Sequence, residues 1–169
     1  MDARIEKTKN KIYEAYLAEK NDKRKEHIHV VDICKRAGIN KTTFYNHYQN
    51  VFALADEVET KIVREMIADC KRFAQFWEDP RRALTELLQI SMVFEPKIVR
   101  VFDDGISVFS RKLSKALTER YRDAFRNEKD RGLLAICLTG ACILLENKFT
   151  EKNVVFTINL ICDIIQKTR

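Results

Sequence analysis

From residue 51 to 77 the chain reads VFALADEVETKIVREMIADCKRFAQFW. Phe52, Leu54, Ala55, Val58, Ile62, Met66, Cys70, Phe73 and Trp77 recur along it at mostly three- or four-residue steps. That is the period of one helical face and not the alternation of a strand. Only two Pro and four Gly are spread over the 169 residues, so little interrupts runs of this kind. Lys, Glu, Arg, Leu and Ala are frequent, and these favour helix. The chain is therefore expected to be all-α, and long enough to bury a core without disulfides or metal.

Helical spacing and capping residues place helices over about 3–20, 30–37, 41–47, 51–77, 80–93, 96–103, 106–126, 129–147 and 151–167. Gly38 ends the second of these, because glycine enters the left-handed region without a Cβ penalty. Asn40 and Asn50 are positioned as N-caps. Asp79-Pro80 reads as a cap followed by proline in the first turn, and Pro96 reads as a second such start. The expected organisation is a three-helix head at 1–50 and a helical body at 51–169.

The body's last two segments, LLAICLTGACILLE and VVFTINLICDII, are apolar on nearly every side. Such helices need burial on more than one face. A four-helix interface with a second copy satisfies that, with Leu134, Leu138, Ala141, Leu145, Val155, Ile158, Ile161 and Ile165 as its expected residues.

Charge separates the head from the body. Residues 1–50 hold eleven Lys and Arg against seven Asp and Glu, whereas residues 51–169 hold twenty against eighteen. A localised basic excess suits a polyanion such as nucleic acid. Five Cys without a C-x-x-C pair, and a charged N-terminus unlike a secretory signal, predict a reduced, cytoplasmic protein. No apolar run reaches the ~18 residues of a membrane span. No Gly-rich phosphate loop, metal-ligand cluster or nucleophile–base set stands out, so no enzyme, metal or cofactor is expected.

AGINKTTFYNHY, residues 37–48, concentrates the chemistry. Two short helices about a Gly turn form a helix-turn-helix, whose second helix enters the major groove of duplex DNA. Phe44 and Tyr48, four apart, point toward the core. Lys41, Thr42, Tyr45 and Asn46 point largely away from it. Lys41 can donate to guanine O6 and N7. Thr42 and Thr43 can bond a base or pack on a thymine methyl, and Asn46 can pair with adenine. Tyr45 and His47 carry donors suited to phosphate oxygens.

At these residues the sequence resembles the TetR family of bacterial transcriptional repressors. The likeness runs over about 29–54, HVVDICKRAGINKTTFYNHYQNVFAL. It rests on Ala37-Gly38-Ile39-Asn40, then Thr43-Phe44-Tyr45-Asn46-His47-Tyr48, then Leu54. The resemblance implies a homodimer that binds a palindromic operator, most often as a repressor, through two heads. It places Lys41, Thr42 and Asn46 at bases, Tyr45 and His47 at phosphates, Thr43 at the groove edge, and Phe44 and Tyr48 behind. It also implies an effector among the body's helices, with Cys70, Phe73, Trp77, Leu87, Ile90, Phe94, Phe102 and Phe109 as expected walls; whether that effector is a small molecule, a partner protein or absent is open. Two positions depart from the family pattern. Val51 stands where a phosphate-holding Lys is usual, and His29 where Thr is frequent. The basic loop at Lys23, Arg24 and Lys25 is expected to compensate. A dimeric adaptor or coregulator whose body binds a partner protein is the rival reading.

Overall fold

The computed structural model describes residues 3–103, 105–145 and 150–168, without the side chains of 144 and 145. Among the described residues it is all-helical. The helices are α1 (Ala3–Glu19), α2 (Val30–Ala37), α3 (Lys41–Tyr45), α4 (Val51–Ile67), α5 (Pro80–Val101), α6 (Ile106–Arg120), α7 (Glu128–Leu145) and α8 (Glu151–Thr168), with 3-10 turns at Lys25–His27 and Arg72–Gln75. No helix of the described residues is long and apolar enough to cross a membrane.

The chain divides into two compact units at bounds other than 50/51. The first comprises Met1–Lys61 with Val99–Asp103, and the second Ile62–Ile98 with Asp104–Arg169. The first half of α4 belongs with the head because its residues are tied there. Glu57 accepts from Lys9 on α1 at 3.0 Å and from the Tyr48 hydroxyl at 3.1 Å. In this unit α1 packs on α2, and α2 on α3. Ile12 and Tyr16 of α1, Ile33 and Cys34 of α2, Phe44, and Leu54, Ala55 and Val58 of α4 are buried.

In the second unit α6, α7 and α8 pack in succession. The Ser110 and Thr139 hydroxyls share a hydrogen bond of 3.2 Å between α6 and α7. Lys129 Nζ donates to the Thr168 carbonyl at 3.2 Å between α7 and α8. Asp79 caps α5 through the Arg82 N–H, 3.1 Å away, with Pro80 in the first turn as expected.

Three expected helix limits within residues 51–126 differ. The helix predicted over 51–77 stops at Ile67, where Arg120 Nη2 takes the Ala68 carbonyl at 2.8 Å. The chain then tightens into the 3-10 turn, whose i, i+3 side chains eclipse one another. Phe73 and Phe76 are therefore brought together, stacked at 5.2 Å and both fully buried. The predicted 106–126 helix ends at Arg120, and Tyr121 leaves helical geometry at φ −113° and ψ 49°. The turn that follows buries Phe125 and aims the Ala124 carbonyl at Trp77 Nε1, 2.6 Å away. Pro96 opens no helix, and α5 runs straight through it. It lies in an exposed stretch, where water can take the Met92 carbonyl that proline leaves without an N–H donor.

Candidate nucleic-acid interface

The turn between α2 and α3 is built by two residues. Gly38 takes φ 66° and ψ 41°, the left-handed region, and its N–H donates back to the Cys34 carbonyl. The Ile39 N–H reaches the same carbonyl at 3.0 Å. Asn40 then starts α3, and its Oδ1 accepts from the Thr43 N–H at 2.7 Å and the Thr43 hydroxyl at 2.9 Å. Two of the donors at the start of this short helix are thus held by one side chain.

Beyond Tyr45 the backbone tightens rather than continuing as α-helix to His47. The N–H groups of His47 and Tyr48 both donate to the Phe44 carbonyl, at 2.9 and 3.0 Å. This turns Phe44 and Tyr48 to the same side. Phe44 is 0% exposed and lies 5.8 Å from the Tyr48 ring, centroid to centroid. Burial raises the Tyr48 hydroxyl well above its ordinary range, reinforced by the Glu57 carboxylate. Lys9 bonds both Glu57 oxygens and sits 5.4 Å over the Tyr48 ring. The back of α3 is therefore clamped to α1 and α4.

The outward side is distinct. Lys41, Thr42, Tyr45 and Asn46 are exposed, Tyr45 to 55%, while Thr43 and His47 are half-buried. Thr43 has its hydroxyl committed to Asn40. Asn50 caps α4 through the Ala53 N–H at 2.8 Å. Val51 is 7% exposed and belongs to the core, whereas the next residue, Phe52, is 56% exposed.

In the basic loop Lys23 and Lys25 are paired with carboxylates inside the head, whereas Arg24 is exposed. Lys23 pairs with Glu19 at 2.9 Å and Asp32 at 3.1 Å. Lys25 is buried and lies 3.6 Å from the buried Glu59. Arg24 donates to the Asp103 carbonyl at 3.2 Å. Lys41 and Lys35 are exposed and make no ion pair among the described residues. Lys35 was not singled out in the sequence, although it lies opposite the Ile33, Cys34 and Ala37 stripe that the spacing marks as buried. Phe52, at helical spacing with the apolar residues of α4, lies on that helix's exposed side.

The expected effector walls are divided between the two units. Phe102 belongs to the first unit and the other seven to the second. Cys70, Phe73, Leu87 and Phe109 are buried, and Trp77, Ile90 and Phe94 are half-buried. Phe73 and Trp77 join Phe76, Tyr121 and Phe125 in a continuous aromatic cluster with ring spacings of 4.9 to 6.2 Å. A groove in the first unit runs along α1, lined by Lys7, Lys11, Ala15, Ala18, Arg36 and Ala37 among others, and contains none of the eight. Burial pushes the Cys34, Cys70, Cys137 and Cys162 thiols up, Cys70 to about 12.

The expected interface residues differ in burial within one chain. Leu134, Leu138, Ile158, Ile161 and Ile165 are buried within a single chain, since α6, α7 and α8 cover them. Ala141 is half-buried and Val155 exposed, and Leu145 falls outside the described side chains. The apolar residues left uncovered are Ile136 and Ile143 on α7, and Val155, Phe156 and Leu160 on α8. Gly132 and Gly140 lie on the same α7 stripe as these isoleucines, four positions either side of Ile136. A Cβ added at either glycine would meet nothing within 4 Å.

No protein-family model matches the chain, and no curated protein matches it significantly.

Proposed function

We propose that this chain is a dimeric, sequence-specific DNA-binding regulator, most simply a repressor, with α2 and α3 as a helix-turn-helix and α3 as the reading helix. The observation that carries this reading is the division of α3. Phe44 and Tyr48 are locked behind it, and Lys41, Thr42, Tyr45 and Asn46 stand outward on a rigid turn. A short helix that only packed would have no use for four outward groups able to bond bases and phosphates. The TetR-like residues at 37–48 give the same assignment.

The second copy would dock on the uncovered α7–α8 face. Ile136, Ile143, Phe156 and Leu160 supply apolar area there, and Gly132 and Gly140 let a partner helix approach closely. A small-molecule effector, implied by the resemblance, would meet the second unit, where Trp77, Ile90 and Phe94 are the accessible candidates. The adaptor reading draws on a different observation. With Val51 buried and Lys23 and Lys25 paired, Arg24 is the loop's one cation without a carboxylate among the described residues, and the head offers few free charges to DNA.

Selection of bound duplexes from a random pool, followed by mobility shift against salt, separates the two. The regulator should select a two-fold symmetric site with half-sites ~34–36 Å apart, or a multiple of that. Its affinity should fall as salt rises. Tyr45→Ala should weaken binding about five- to tenfold, the worth of one hydrogen bond of ~1 kcal/mol, with the melting temperature unchanged. An affinity that ignores salt, or no selected site, favours the adaptor. A Tyr45→Ala chain that melts early would place Tyr45 in the core.

A further inference from the structure

The basic loop between α1 and α2 is held down by one carboxylate from far along the chain. Asp103 pairs with the Lys20 ammonium, whose side chain is 1% exposed. The same Asp103 Oδ2 accepts from the Lys25 backbone N–H at 2.7 Å. Arg24 Nη2 is fixed on the Asp103 carbonyl, and Lys25 Nζ faces Glu59. Among the described residues Asp103 is the only polar partner of the Lys20 ammonium. Asp103 ends the Val99–Asp103 stretch, which is joined to the second unit by the chain at both ends.

We propose that residues 20–25 form a masked phosphate-binding loop, kept shut by Asp103. In the closed state Lys20 and Lys25 are buried and spent on Asp103 and Glu59, while Arg24 is exposed but tethered to the Asp103 carbonyl, so two of the loop's cations are masked. A buried ammonium deprived of its carboxylate is an uncompensated charge, and the loop must open to hydrate it. Opening turns Lys20 and Lys25 outward beside the already exposed Arg24, ahead of α2. Each cation that neutralises a phosphate releases a counterion, so the open loop binds a nucleic-acid backbone. Displacement of Val99–Asp103 is the natural trigger, because that stretch is where the second unit's chain enters the head. The partner class rests on the nucleic-acid reading of the head, while the opening of the loop does not.

The full chain tests this with Asp103→Asn and with Asp103→Asn combined with Lys20→Met, which removes both charges. Three measurements are made: amide hydrogen exchange over 20–27, the salt needed to elute from heparin, and the salt dependence of binding to a generic duplex. Asp103→Asn should exchange faster over 20–27 alone and elute from heparin at higher salt. It should bind duplex about tenfold tighter at low salt, with a log–log slope steeper by about 2, at ~0.9 per released counterion. The double variant should behave as wild type. On the wild-type chain, saturating heparin should speed exchange over 20–27, an arm that does not depend on any variant folding. Unchanged elution and slope in a folded Asp103→Asn chain overturn the proposal. So does wild-type exchange that heparin leaves unchanged or slows. If no operator is found but the heparin arms succeed, the head reading falls and the loop stands. If an operator is found and the loop neither opens nor gains affinity, the loop alone falls.

Discussion

Asn40 orders the start of α3. Its side-chain oxygen takes both the N–H and the hydroxyl of Thr43. Without it, α3 would begin with unsatisfied donors and Thr43 would be free to turn. Asn40→Ala should lower stability by about 1 kcal/mol, the usual worth of an N-cap, and Asn40→Asp should hold most of it. Urea midpoints at constant m-value would report both. Val51 shows the opposite economy. A lysine there would have to leave the core to reach a phosphate, because the position is 7% exposed. The sequence marks Val51 as a departure from the family pattern, but only the packing of α4 shows that the side chain faces inward.

At the scale of elements, the end of α1 is joined to α2 by a small charge cluster with a definite pH signature. The hydrogen bond from Lys23, helped by Arg36, holds Glu19 below its ordinary 4.5 despite burial. Lys23 likewise holds Asp32 below 3.8, and Glu19 and then Asp32 raise Lys23 above 10.5. Lowered carboxylates stabilise the fold above their unfolded values, and the gain is lost as pH falls through their folded values. A raised lysine stabilises it below its unfolded value, and that gain is lost as pH rises through its folded value. Stability should therefore be flat between about pH 5 and 10 and fall on both sides. Lys23→Met should flatten the acid limb, as read by urea midpoints at stepped pH.

The elements themselves were largely legible, since Gly38, Asn40, Asn50 and Asp79-Pro80 act locally and do what their chemistry dictates. The limits that differed are set from a distance. Arg120 ends α4 by bonding Ala68, and the pairing of Trp77 with Ala124 shapes the turn after α6. Spacing along one helix cannot reveal a partner about fifty positions away. For the same reason the outward side of α3 could be read from a wheel, while the inward use of Lys20 and Lys25 could not.

For the whole molecule, the uncovered α7–α8 face makes assembly testable. Ile136 is 69% exposed and Phe156 59%, whereas Leu134 is fully buried two positions before Ile136. Phe156→Glu and Ile136→Glu should leave helicity and melting nearly unchanged and convert a micromolar dimer to monomer in sedimentation. Leu134→Ala should instead cost about 2–5 kcal/mol of stability, as core truncations do. A wild-type chain that sediments as a monomer at micromolar concentration would remove the dimer.

The inclusion of Val99–Asp103 in the head also bears on how the protein is made. Chains emerge from the ribosome N-terminus first, at about 5–20 residues per second. Lys61 therefore appears several seconds before Asp103 is available to meet Lys20 and cap the Lys25 turn. During that interval the nascent head carries its basic loop without its carboxylate, beside a ribosome made of RNA. A fragment cut at residue 61 would keep that nascent condition permanently.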